Sequence, residues 1–250
     1  MPETSRYWQL LGASVTGQAH LERGTGNQDA LAAATTADGR LCLAVADGAG
    51  SASRSDEGAR TATETAIAAL AAASSLTARA ALDLAFSQAV TAVTALARRS
   101  GSQPREFACT LLLVLVTADE VAALQLGDGA VIAEQGGSLR RLTPVWRSDY
   151  VGETMFITSP GARQQAVTVN APAADLSALA LLTDGLEPVA TDLQSGEPFA
   201  PFFTPLFSFT GSAADQALRN RQLEELLGSE RVRSRTHDDT TLLLAVRASR

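Results

Sequence analysis

The residues with chemical potential in this chain are carboxylates set at the ends of apolar runs. Asp29 lies in Gly26-Asn27-Gln28-Asp29-Ala30, and Asp47 closes a run in Val45-Ala46-Asp47-Gly48-Ala49-Gly50-Ser51. Asp184 follows Leu181-Leu182-Thr183, and His237-Asp238-Asp239-Thr240-Thr241 precedes a last apolar run. An aspartate at the edge of a core is costly unless a partner meets its charge. Several such groups converging from separate strand ends repel one another unless a cation sits between them. Oxygen-only ligands select a hard ion, Mg²⁺ or Mn²⁺, so the pattern reads as a divalent-metal site. Asp128, in Leu126-Gly127-Asp128-Gly129, reads on its own as a hairpin turn.

Composition sets bounds on this reading. Of 250 residues, 46% are hydrophobic and 19% charged, enough for a sizeable core and too apolar for global disorder. The net charge of −7 disfavours nucleic-acid or anionic-membrane binding, which needs a basic surface. A phosphorylated substrate remains compatible, because bound cations reverse the local field. Only two histidines are present, so a His-rich zinc site is excluded. Cys42 and Cys109 each lie in an apolar stretch and read as buried thiols. The N-terminus lacks the basic start and apolar run of a signal peptide. No apolar stretch of about 18 residues runs without polar breaks. The expectation is a cytoplasmic protein with no membrane span.

The carboxylates need strands and turns to carry them. Strands are predicted at 8–16, 30–36 and 40–46, the first two separated by a loop holding Gly17, Gly24 and Gly26. Ala-rich helices follow at 56–73, capped by Ser55 or Asp56, and at 77–99. Strands at 107–117, 120–127, 129–135 and 138–142 come next, with hairpins at Thr117-Ala118-Asp119 and Gly136-Gly137. Residues 144–163, with Trp146, Arg147, Asp149 and Tyr150, read as an irregular flap. Further strands are expected at 165–169, 178–183 and 240–247, and a helix at 212–227 ending at Gly228. The Pro- and Phe-rich stretch 196–210 resists assignment. This order is not a βαβ alternation, so it favours an α+β fold with antiparallel sheets and segregated helices. No internal repeat or low-complexity linker appears, and residues 1–250 are read as a single domain.

In their order and spacing the four acidic motifs resemble those of the metal-dependent type 2C Ser/Thr protein phosphatases, most closely the small bacterial branch. The similarity runs from Gly17 to Val246. It implies a four-layer α-β-β-α sandwich with two mainly antiparallel central sheets. It also implies hydrolysis of phosphoserine and phosphothreonine in a protein substrate, with a cognate Ser/Thr kinase as a natural partner. By matching position, Asp47 would bridge two Mg²⁺ or Mn²⁺ ions and the Gly48 carbonyl would bind the second. Asp184 and Asp238 would complete the first ion's site, and Asp128 would help to hold a third, weaker ion. Asp29 resembles a carboxylate that holds metal-bound water, Asp239 a residue that orients the site, and Thr241 a small hydroxyl after the last ligand. A hydroxide bridging two ions about 3.5–4 Å apart would attack phosphorus directly.

The chain departs from that pattern at three positions. Gln28 stands where many members have a metal-binding Glu, and offers a weaker, neutral oxygen. Gly24 stands where larger members have an Arg that grips the substrate phosphate; the adjacent Arg23 could substitute. Ala49 stands where eukaryotic members have a His as general acid; His20 could take that role or bind phosphate. For His20 and Arg23 the alternative is an ordinary surface or hydrogen-bonded residue. These departures motivate a rival from another class, a pseudophosphatase or phosphoprotein-binding regulatory module. Hydrolysis of a small phosphate or nucleotide is a third reading.

Overall fold

A computed structural model describes residues 8–146, 154–212 and 215–248. Arg147, Asp149 and Tyr150 of the expected flap lie outside these residues. The apolar runs form ten strands: β1 Trp8–Val15, β2 Ala30–Thr35, β3 Leu41–Ala46, β4 Leu111–Val116, β5 Glu120–Leu126, β6 Ala130–Gln135, β7 Ser138–Arg141, β8 Val167–Pro172, β9 Leu176–Leu182 and β10 Thr240–Arg247. The helices are α1 Gln18–Arg23, α2 Ser55–Ala72, α3 Ala78–Arg99, α4 Ala162–Gln165, α5 Glu187–Ala190, α6 Ala200–Thr210, α7 Gln216–Leu227 and α8 Glu230–Arg233.

Two five-stranded sheets result, the first in the order β2-β3-β4-β5-β8 and the second in the order β1-β10-β9-β6-β7, and every recorded pairing is antiparallel. Strand alternation explains why the central strands are apolar on both faces. In β3, Cys42, Ala44 and Ala46 pack with Leu82, Phe86 and Phe107 under α2 and α3. Leu41, Leu43 and Val45 face the other way, and meet Leu179, Leu181 and Leu243 between the sheets. On the far side of the second sheet, Ala180, Leu182 and Leu244 pack with Phe203, Phe207 and Leu227 of α6 and α7. Three apolar layers therefore separate four structural layers, α-β-β-α, as expected.

The differences from expectation are local. The loop at 17–26 contains α1, a six-residue helix ended by Gly24 at φ +70. It is too short to show a helical period, and distant partners hold it in place. The unassigned 196–210 stretch forms α6, with Pro201 in its first turn and Pro205 within it. Its phenylalanines supply the outer core. Helix α2 begins at Ser55 itself, and its N-cap residue Arg54 makes no side-chain cap; instead Arg54 pairs with Glu57. Residues 104–107 form a 3₁₀ turn rather than the start of a strand. Helix α3 is long and apolar enough to cross a membrane by length and composition. Its Ala81, Leu82, Ala85, Phe86, Ala89 and Val93 are buried in the core beneath it.

Helix α2 approaches the 3₁₀ turn closely at Gly58, where a Cβ would overlap the carbonyl oxygen of Phe107. Ala in a helix is favoured over Gly by about 1 kcal/mol. Forcing an atom into a packed backbone contact costs about 1–3 kcal/mol. The overlap is with backbone rather than a flexible side chain, so the contact wins and Gly58→Ala should lower stability by up to about 2 kcal/mol in urea unfolding; a gain in stability would show that the turn yields freely.

Candidate metal centre

Antiparallel register brings the acidic motifs to one end of the sandwich. Ala30 pairs with Ala46, placing Asp29 beside Asp47. Leu182 pairs with both Ala130 and Leu242, bringing the Asp184 turn to the Asp128 turn and to the start of β10. Val15 pairs with Thr240, which sets α1 against Asp238 and Asp239. Residues as distant in sequence as Gln28 and Asp239 thus share one edge.

Asp47 leaves β3 with its backbone fixed. Its N–H donates to Thr110 Oγ1 (2.9 Å), and its carbonyl accepts from the Thr110 N–H (2.8 Å). Gly48 then bridges to Cys109. A Cβ on Gly48 would come within 2.5 Å of the Gln28 carbonyl oxygen and 2.8 Å of Ser55 Cβ, so only glycine lets the Gln28 and Asp47 loops meet.

Asp29 is held by hydroxyls. Thr183 Oγ1 and Thr241 Oγ1 both donate to its Oδ2, at 2.8 and 2.7 Å. Asn27 Nδ2 donates to Ser14 Oγ at 2.7 Å. Because Thr241 has already given its one proton to Asp29, the Ser14 hydroxyl donates to Thr241 across their 2.6 Å contact. The chain Asn27–Ser14–Thr241–Asp29 therefore has one direction, and it leaves Asp29 Oδ1 free. Sequence reading found Thr241 but missed Ser14, Asn27, Thr110 and Thr183. The available signal was a hydroxyl or amide one residue from each Asp or across the strand pair.

Asp128 sits between Gly127 (φ +87) and Gly129 (φ +93), left-handed positions that suit glycine. The buried Gln125 donates to the carbonyls of Gly127 and Gly129 (2.9 and 3.3 Å), and Thr154 Oγ1 donates to Asp128 Oδ2 (2.8 Å). Oxygens of Asp47, Asp128 and Asp184 lie within 4.8 Å of one another. A second such group joins His20, Asp238 and Asp239. Asp238 is thus grouped with His20, although its Cβ lies 3.2 Å from where a Gly185 Cβ would stand, next to the Asp184 turn.

These crowded acids resist ionisation. Burial, then the Thr hydroxyl bonds working against it and the charges of Asp239 and Asp184 working with it, pushes Asp29 up to about 8. Burial and the charge of Asp128 push Asp184 up to about 6. Asp47 rises well above the usual carboxylate range, through burial and then the charges of Asp29 and Asp184. Gln28 Oε1, Asp29 Oδ1 and Asp184 Oδ1 are buried and find no hydrogen-bond donor among the described residues. Orphaned oxygens with no nitrogen or sulfur donor among them fit hard divalent ions, which remove the repulsion these acids otherwise share.

A cavity of about 350 Å³ opens beside this group, lined by His20, Arg23, Asp47, Gly48, Gly50 and Asp238 among others. His20 is buried on α1, with Nδ1 2.8 Å from Asp239 Oδ1. Asp239 also accepts the N–H groups of Gly17 (2.7 Å) and Gln28 (2.6 Å), so it locks α1, the Gln28 loop and β10 together. The expectation that Asp239 orients its neighbours matches these contacts. The His237 carbonyl accepts from the Ala19 N–H, while Arg23 is exposed at the mouth.

Residues 16–228 match the family described as Protein phosphatase 2C. Over 253 aligned residues the chain is 32% identical to Serine/threonine-protein phosphatase 3 of Escherichia coli strain K12, covering 96% of this chain and 98% of that protein. The catalytic domain of the serine/threonine protein phosphatase PstP, solved in complex with two manganese ions, superposes with a TM-score of 0.65 at 18% identity, covering 97% and 99% of the two chains. Stp1 from Staphylococcus aureus gives 0.66 at 14% identity, covering 95% and 94%. The superpositions establish the fold, the sequence matches establish descent, and the chain belongs to the protein phosphatase 2C family.

Proposed function

We propose that this chain is a metal-dependent protein phosphatase acting on phosphoserine and phosphothreonine, working as a single domain. The observation that carries the reading is the convergence of Asp47, Asp128 and Asp184 within 4.8 Å, with buried carboxylate and amide oxygens left without donors. A pure binding module has no need to gather like charges at this cost. We assign two ions, Mg²⁺ or Mn²⁺, to Asp47, the Gly48 carbonyl, Asp184, Asp238 and Gln28, with Asp128 contributing to a third. When bound, such ions polarise the phosphate and make water acidic near neutral pH.

The chain's own groups do the rest. Asp29, its Oδ2 pinned by two threonines, presents Oδ1 to orient a water and accept its proton. His20, with Nδ1 turned to Asp239, keeps Nε2 on the cavity side near Gly50, where it can protonate the leaving seryl or threonyl oxygen. Arg23 at the mouth is suited to receive phosphate oxygens. A phosphorylated protein is the substrate and a cognate Ser/Thr kinase the natural counterpart. A cytoplasmic setting suits two unpaired, buried cysteines.

Purified protein should hydrolyse p-nitrophenyl phosphate with Mn²⁺ and stop with EDTA, and Asp47→Asn should lose about 100-fold or more in kcat while keeping its circular dichroism spectrum. An active Asp47→Asn removes the bridging role. His20→Gln should slow a phosphothreonine peptide about 100-fold but p-nitrophenyl phosphate far less, because nitrophenolate leaves without a proton. Equal losses on both substrates would refute the general-acid assignment.

Proton linkage gives a further expectation. Asp29 and Asp184 titrate in the fold near 8 and 6, against 3.8 for an ordinary aspartate. Raised carboxylates favour the fold while protonated, and that contribution is lost as pH rises from about 4 through 8. In EDTA the melting temperature should therefore fall between pH 5 and 8, and Asp29→Asn should flatten the fall. Mn²⁺ should stabilise most at the alkaline end. A metal-free Tm that rises across that window would contradict the assignment of these acids.

A further inference from the structure

We propose that Arg141 is a positioning residue that ties the Asp128 turn to the Asp184 turn and so sets the spacing of the carboxylates that share a metal ion; this rests on the metal-site reading above. Arg141 is the last residue of β7, an edge strand, and carries no part of the recognised motifs. Its side chain is 7% exposed. Nη2 donates to the carbonyl of Gly129 at 2.6 Å and lies 2.9 Å from Glu187 Oε1. Nε donates to the Thr143 carbonyl at 3.2 Å. Gly129 is the residue after Asp128, and Glu187 opens α5 three residues after Asp184.

Each turn is held on its other side as well. Gln125 grips the Asp128 turn from within, and a Cβ on Gly129 would stand 2.6 Å from the Leu182 carbonyl at the end of β9. Burying a guanidinium against one carboxylate and two carbonyls costs solvation that the ion pair only partly repays. Neither carbonyl needs a charged donor on its own. Nη2 alone reaches both turns, while Nε anchors the guanidinium plane on the Thr143 carbonyl; a lysine ammonium has no second anchor to fix the bridging nitrogen in place. The two turns carry Asp128 and Asp184, two of the three acids in the cluster.

The test measures Mn²⁺ binding by the electron paramagnetic resonance signal of the free ion, together with steady-state kinetics and melting in EDTA. Arg141→Lys keeps the charge and loses the Nε anchor that holds the bridging nitrogen; Arg141→Ala loses both. Coulomb's law alone says that removing a cation beside an acidic site tightens Mn²⁺ binding. Positioning predicts the opposite sign: Mn²⁺ binds about tenfold more weakly in both variants. It also predicts that kcat returns to within about twofold of wild type at saturating Mn²⁺, with KM for phosphopeptide unchanged. Arg141→Lys decides the matter if Arg141→Ala fails to fold. Unchanged or tighter Mn²⁺ binding in a folded variant overturns the proposal, as does a kcat loss that Mn²⁺ does not restore. A wild-type chain that binds no Mn²⁺ overturns the metal reading and this proposal with it. A wild type that binds Mn²⁺ without hydrolysing phosphate sinks the proposed activity alone, and the binding comparison still stands.

Discussion

Like charges forced together are the constraint around which this molecule is organised. Asp29, Asp47, Asp128 and Asp184 come from four different strand ends, and burial together with neighbouring charge pushes Asp29, Asp47 and Asp184 above the usual carboxylate range. The scaffold must hold that arrangement against its own repulsion. Two sheets whose central strands are buried on both faces supply the stiffness, since a close-packed interior cannot relax continuously. The alanines of α2 and α3 serve the same end: small side chains let both helices lie close on the first sheet.

Between scaffold and cluster lies a layer of neutral polar groups. Thr110, Thr183, Thr241, Ser14, Asn27 and Gln125 spend their hydrogen bonds on the turns that carry the acids. They add no charge, so they orient carboxylates without competing with a cation for them. Asp239 is the exception in being an acid: the N–H groups of Gly17 and Gln28 each donate to one of its oxygens, and His20 Nδ1 stands 2.8 Å from Oδ1. These contacts make it the tie between α1, the Gln28 loop and β10.

The strands were readable because period-two burial and continuous apolar runs are local signals, and β10 was placed to the residue. The long helices were equally plain from their richness in alanine. Helix α1 was not, because its six residues are fixed by Asp239 and the His237 carbonyl, more than 200 positions away. Helix α6 was obscured by Pro205, whose cost in a helix is overridden here by burying Phe203 and Phe207. At the site, the acids stood out as charges where charge is expensive. Their hydroxyl partners did not, because a threonine at a strand end is ordinary until its cross-strand neighbour is known. Arg141 left no local trace: what distinguishes it is reaching two turns that the linear chain separates.

The placement of β10 has a consequence for the order of folding. It inserts between β1 and β9, inside its sheet rather than at the rim. It delivers Asp238, Asp239 and Thr241 together. Until it docks, β1 has no link to β9 and α1 lacks its anchor on Asp239, so closing the sheet and seating that helix are one event. Pairing Val15 with Thr240 joins strands far apart along the chain, and contacts of such long sequence separation form slowly.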